Sequence, residues 1–133
     1  MNRKHSIALI LFIILSSAPG FAASDIVEIF YLPHPPAMAV VREVEDVVKR
    51  IGSVTVKKYN FEDRGTGKML EKYHITNHMP VAIFINGKNE FVVETKKVVF
   101  ENFPKGNAFV PMFEGNWSYR DIESVLQAVP RGN

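Results

Sequence analysis

Apolar positions change their spacing along this chain, and each change marks an element. Asp25 to Leu32 (DIVEIFYL) is a nearly continuous apolar run rich in β-branched and aromatic residues, as expected of a strand buried on both faces. Pro33-His34-Pro35-Pro36 ends it, because consecutive prolines cannot continue a ladder but fit the first turn of a helix. From Ala37 to Ile51 the spacing becomes helical. Met38, Val41, Val44, Val48 and Ile51 form a stripe, Val40 and Val47 widen it, and Arg42, Glu43, Glu45, Asp46, Lys49 and Arg50 lie off it. Gly52 stands where a helix cap belongs.

The second half is more broken. Val54 to Phe61 alternates as a second strand, Asp63 to Gly67 reads as a loop, and Lys68 to His74 as a short helix with Leu70 and Tyr73 facing inward. After a loop at 75–79, Pro80 precedes the apolar strand Val81 to Ile85. Asn86-Gly87 is a strong hairpin signal, since both residues tolerate positive φ, and it predicts that Glu90 to Glu94 pairs back on Val81 to Ile85. Val98 to Phe100 reads as a further strand-like piece. Ser118 opens a last helix with Asp121 as its capping-box partner and Ile122, Val125, Leu126 and Val129 as its stripe. The order is β-α-β-α-β-β-α, with an insert at about 95–117. A helix between the first two strands makes them parallel and the hairpin adds an antiparallel pair, so the expected fold class is α/β, a mixed central sheet with helices on both faces.

Residues 1–23 lie outside this pattern. Arg3, Lys4 and His5 precede the apolar run Ile7 to Leu15, and Ser16 to Ala23 adds helix breakers and small residues. That is the order of a signal peptide cleaved after Ala22 or Ala23. The run is about half of the ~20 residues that span a bilayer, so no stable membrane insertion is expected after cleavage. The expected division is a signal peptide at 1–23 and one domain at 24–133, with a periplasmic or secreted product. Loss of Arg3 and Lys4 turns 16 basic and 14 acidic residues into an even balance, which gives no reason to expect nucleic acid as a partner. The chain has no cysteine, so thiol–disulfide chemistry, sulfur ligands and covalent catalysis by sulfur are excluded.

The order of elements resembles the thioredoxin fold at two further places. Phe30-Tyr31-Leu32-Pro33 leads into His34-Pro35-Pro36-Ala37, which looks like a Cys-Pro-Pro-Cys loop with His34 and Ala37 where the thiols would be. Asn77-His78-Met79-Pro80-Val81, approached by Lys72-Tyr73-His74-Ile75, is similar to the loop whose cis-proline lies against that motif in the family. The resemblance covers about residues 25–94 and the last helix. It implies a cis bond at Pro80 and a redox-inactive, thioredoxin-like member. It also implies a binding surface made of His34, Pro35, Pro36 and Ala37 with His78, Met79 and Pro80. In that family the backbone before the proline pairs with an extended peptide, so the expected partner is an exported protein or peptide.

Other chemistry is thinner. His34, His74 and His78 are weak candidates for a copper or zinc site, since His74 and His78 have helical ligand spacing in a stretch that reads as loop. No metal or other cofactor is otherwise expected. An enzyme using His34 as base ranks last, so the chain is read as no enzyme. Gly65-Thr66-Gly67-Lys68 lacks phosphate-loop spacing, and Glu62 and Asp63 point different ways on any regular element. Phe100, Phe103, Phe109, Phe113, Trp117 and Tyr119 cluster in the insert and are read as an extension of the core rather than a docking patch. Asn116-Trp117-Ser118 fits the glycosylation pattern of a eukaryotic secretory route.

Overall fold

The computed structural model of the protein describes residues 24–108 and 110–129. The expected signal peptide and Phe109 lie outside the described residues. No described helix is long and apolar enough to cross a membrane.

The architecture is mixed α/β, a small sheet with three helices. Strand β1 (Asp25–Tyr31) lies in the middle of a sheet ordered β2-β1-β3. It runs parallel to β2 (Val54–Asn60) and antiparallel to β3 (Val81–Ile85). Between β1 and β2 runs helix α1 (Pro35–Ile51), which supplies the crossover. Pro35 and Pro36 start it, Lys49 and Arg50 sit favourably in its last turn, and Gly52 at φ 73 ends it by donating its N–H to the Val48 carbonyl (3.0 Å). Its buried stripe is Ala37, Val40, Val41, Val44, Val47 and Val48. Met38, placed on the stripe by spacing, is 40% exposed. It stands six residues before Val44, about 120° around the helix from the stripe's centre.

Alternation along β1 and β3 gives the sheet two unlike faces. Val27, Ile29, Val81, Ile83 and Ile85 meet α1 and helix α3 (Tyr119–Ala128) in a mainly aliphatic core that also takes in Phe100, Phe103 and Trp117. Phe30, Ala82 and Phe84 face the other way, under Tyr59, Phe61, Leu70 and Tyr73 and the short helix α2 (Gly67–Lys72). A single 3-10 turn, Arg64–Thr66, precedes α2. The Ser118–Asp121 capping box forms as expected, with Asp121 N–H donating to Ser118 Oγ (3.3 Å) and Ser118 N–H to Asp121 Oδ2 (2.8 Å).

The hairpin expectation is corrected in its partner. Asn86 (φ 50) and Gly87 (φ 84) do make the turn, with reciprocal bonds between Ile85 and Lys88. Pairing then stops. Strand β4 (Glu90–Val93) pairs instead with β5 (Lys96–Val99) in a separate two-stranded ribbon. The free edge of β3 goes to Phe100–Asn102: Ile83 N–H donates to the Phe100 carbonyl (2.9 Å) and Asn102 N–H to the Val81 carbonyl (2.8 Å). Burial explains the choice. Docking 100–102 sinks Phe100 completely and Phe103 nearly so, whereas Glu90 and Val92 stay exposed in β4.

The insert extends the core, as read from its residue types. Trp117 is fully buried, crosses Phe100 edge to face, and donates its Nε1–H to the Glu101 carbonyl (2.9 Å). Gly115 is fixed by space, because a Cβ there would run into the carbonyls of Glu101 and Phe103. The Asn116 side chain is a brace for β5: its amide donates to the Lys97 carbonyl (3.1 Å) and its oxygen accepts from Val99 N–H (3.0 Å).

Candidate functional site

The site sits where β1 leaves the sheet. Leu32 N–H donates to the Pro80 carbonyl (3.0 Å), which ties the loop before α1 to the loop before β3. His34 then takes an extended conformation as the residue capping α1, and its carbonyl accepts from Met38 N–H (2.9 Å). His34 makes no side-chain cap. Pro35 and Pro36 carry no N–H, so the helix start presents few of the donors that normally attract an anion there.

The second loop begins where α2 ends. Ile75 N–H reaches back to the Leu70 carbonyl (2.9 Å), and His74 takes φ 52. From there the chain runs to a buried Pro80. The expectation of a cis bond at Pro80 is corrected: every described peptide bond is trans. Trans is the lower-energy form of an X-Pro bond by about 0.5–1 kcal/mol, and the Leu32–Pro80 hydrogen bond is made with it in place.

The insert supplies a third wall. Phe103 N–H donates to the Phe113 carbonyl (2.9 Å) and Gly115 N–H to the Phe103 carbonyl (2.7 Å), so the 3-10 turn Pro111–Phe113 is held beside Phe103. The three segments enclose a pocket of about 180 Å³ lined by Leu32, His34, Pro36, Ala37, His78, Met79, Pro80, Phe103, Val110 and Phe113. Six of the seven residues expected at the site line it; Pro35 is exposed and does not. The imidazoles of His34 and His78 are its polar side chains. The Met79 N–H and carbonyl make no hydrogen bond among the described residues.

His74 is not brought to this pocket. Among the described residues no three His, Asp, Glu or Cys side chains come together as a metal-holding group, so the expected His34, His74, His78 trio is not formed. The reason is local: His74 closes α2 and His78 follows in loop, so the four-residue spacing does not put them on one helical face.

Four wall residues were outside the expected site. Phe103 and Phe113 are visible as aromatics without an address, Leu32 reads only as the end of the first strand, and Val110 gives no signal. A second feature had one signal, a lone glutamate in an apolar strand. Glu28 is 5% exposed, and its carboxylate accepts hydrogen bonds from Tyr59 Oη (3.1 Å) and Tyr73 Oη. No Lys or Arg pairs with it among the described residues. Burial, then the bond to Glu28, pushes the Tyr73 phenol well above its ordinary range and the Tyr59 phenol upward.

A larger groove of about 400 Å³ lies between β4 and α3, lined by residues such as Phe91, Val93, Val125 and Val129. It gathers no histidine or methionine. No protein-family model, no curated protein and no solved structure matches this chain.

Proposed function

We propose that the protein is an exported, redox-inactive, thioredoxin-like module that binds an extended protein or peptide segment at the pocket between the His34 and Pro80 loops. The order of the sheet, the parallel β1-α1-β2 crossover and the antiparallel β3 support the thioredoxin-like reading. The pocket carries the binding reading. Sites for whole small molecules run to about 300–1,000 Å³, whereas this one is about 180 Å³, near the ~150 Å³ that holds one benzene ring. One large apolar side chain fits. The unpartnered N–H and carbonyl of Met79 beside it offer the two main-chain hydrogen bonds that an added strand takes up. The partner is thus an extended segment presenting an aromatic or branched aliphatic side chain. No catalytic step is assigned, and insulin reduction should run at background because no cysteine is present.

The test is calorimetric titration with a library of short extended peptides. Binding should require one large apolar residue and should weaken by roughly tenfold or more when the amide facing Met79 is N-methylated, the equivalent of one hydrogen bond. Val110→Glu, at a partly exposed wall position, should abolish binding and leave the melting curve unchanged. A library without any binder, or binding indifferent to both changes, would overturn the proposal.

A further inference from the structure

One sheet edge among the described residues is left both uncovered and unguarded. The outer edge of β3 is taken by Phe100–Asn102, and β2 carries Lys57 and Lys58, the kind of residue that usually guards an edge. The outer edge of β5 is closed by the Asn116 side chain, which accepts from Val99 N–H (3.0 Å) and donates to the Lys97 carbonyl (3.1 Å). That clasp fixes the alternation within the ribbon. Residues 97 and 99 turn their main-chain groups away from β4, so the hydrogen-bonded pairs are Phe91–Val98 and Val93–Lys96. Glu90 and Val92 face Val99 and Lys97, and therefore turn their own N–H and C=O groups outward. No main-chain hydrogen bond takes these groups up among the described residues. The strand holds no lysine and no proline, Val92 is 72% exposed, and the apolar groove beside α3 runs along this edge. We propose that β4 pairs antiparallel with β4 of a second copy of this chain, joining two ribbons into one four-stranded sheet about a two-fold axis at Phe91.

The charges select both the occupant and the register. Glu90 is already paired with Lys97 (2.8 Å), so the edge carries no unbalanced charge to repel its own kind. Setting Glu90 opposite Glu90 of the second copy opposes like charges directly. Setting Val92 opposite Val92 brings Glu90 opposite Glu94 on each side of the axis, which is again unfavourable. Setting Phe91 opposite Phe91 places Glu90 opposite Val92 twice. No like charges then meet, and every outward N–H and C=O of residues 90 and 92 finds a partner. An unrelated strand would gain main-chain bonds but not this self-match. Phe91 and Val93 line the groove with Val125, Ala128 and Val129. Side chains opposite one another share a face, so the second Phe91 lies beside the first on the groove side, as a close aromatic pair. The pairing uses the edge of each copy once, so it closes at two. A single short strand makes a small interface, so the dimer is reversible, with dissociation in the micromolar range.

The inference does not rest on peptide binding, since this groove and the pocket at His34 and Pro80 share no lining residue. Sedimentation velocity of the purified protein over a concentration series should show monomer passing into dimer and nothing larger. Amide exchange should slow with concentration at Glu90 and Val92 but not at Phe91 or Val93, whose N–H groups face β5. Two charge variants test the register. Val92→Glu sets glutamate opposite Glu90 twice and should weaken the dimer about tenfold. Val92→Lys sets lysine there instead and should hold the dimer at least as tightly as the parent chain. The Val92 side chain lies in solvent in the monomer, so both variants should keep the parent's melting curve at low concentration. A chain that stays monomeric at millimolar concentration, or assemblies that grow past two, would overturn the proposal. So would slow exchange of the Glu90 and Val92 amides at every concentration, which would mean that another segment already takes the edge. A dimer that does not distinguish Val92→Glu from Val92→Lys would overturn it as well.

Discussion

The two faces of the sheet are built on different physics. Toward α1 and α3 the core is mainly aliphatic, joined from the insert by Phe100, Phe103 and Trp117; its valines and isoleucines pack without direction, so one methyl group substitutes for another at modest cost. Toward α2 it is aromatic and polar. Phe30 stacks on Tyr59 (ring centroids 4.8 Å apart) and meets Tyr73 and Phe84 edge-on, at 5.6 and 5.7 Å, around the buried Glu28 carboxylate. The first face tolerates rearrangement; the second fixes ring orientation, because hydrogen bonds and ring contacts have preferred geometries. The largest test of this contrast is truncation. Phe30→Ala should cost about 3–5 kcal/mol of stability in urea unfolding, while the buried Ile83→Val should cost only about 0.5–1.5 kcal/mol. Equal losses after Phe30→Leu and Ile83→Val would break the contrast, since ring geometry on the second face would then add nothing to the loss of volume.

That difference also decides what could be read from the chain. The aliphatic face announced itself, because helical spacing from Ala37 to Val48 and the apolar run of β1 are local patterns that burial alone enforces. The turn at Asn86-Gly87 was equally legible, as its backbone requirement is confined to two residues. What followed the turn was not. Whether Glu90–Val93 or Phe100–Asn102 takes the edge of β3 is a competition between distant segments, settled by where Phe100, Phe103 and Trp117 are buried together. The candidate site divides in the same way. His34 and Pro80 were found from their neighbours in sequence, whereas Val110 and Phe113 reach the pocket only through the fold of the insert.

The middle-sized test addresses the carboxylate. A buried ion without a basic partner persists only if its oxygens are satisfied, and here two phenol hydroxyls do this. Tyr73→Phe removes one of them and should cost about 1.5–3 kcal/mol, the range for a hydrogen bond to a charged group. Glu28→Leu should relieve the remaining phenol of its ionic partner, so the double variant should cost clearly less than the two single losses added together. A strictly additive cycle would show that the two side chains do not act on one another, and the directional account of this face would fail.

The smallest test is alkaline titration, and it touches both faces. On the side of α1 and α3 Tyr119 packs edge-on against Trp117, and burial together with the negative Glu43 pushes its phenol up to about 12. On the aromatic side burial and the bond to Glu28 raise Tyr73 further. A phenol raised in the folded state contributes stability that is complete below its unfolded value near 10. Above that pH the unfolded chain releases the proton while the folded chain keeps it, so stability falls as pH rises. For Tyr119 the loss is complete once the pH passes about 12. Urea unfolding should therefore show stability unaffected by these groups below about pH 10 and declining above it. Tyr119→Phe should shallow the decline between about pH 10 and 12, and Tyr73→Phe should shallow it while also lowering the plateau, since Tyr73, unlike Tyr119, donates to a buried carboxylate. If both variants lowered the plateau equally and left the slope alone, the two phenols would be equivalent packing groups, and the chemical distinction between the faces would disappear.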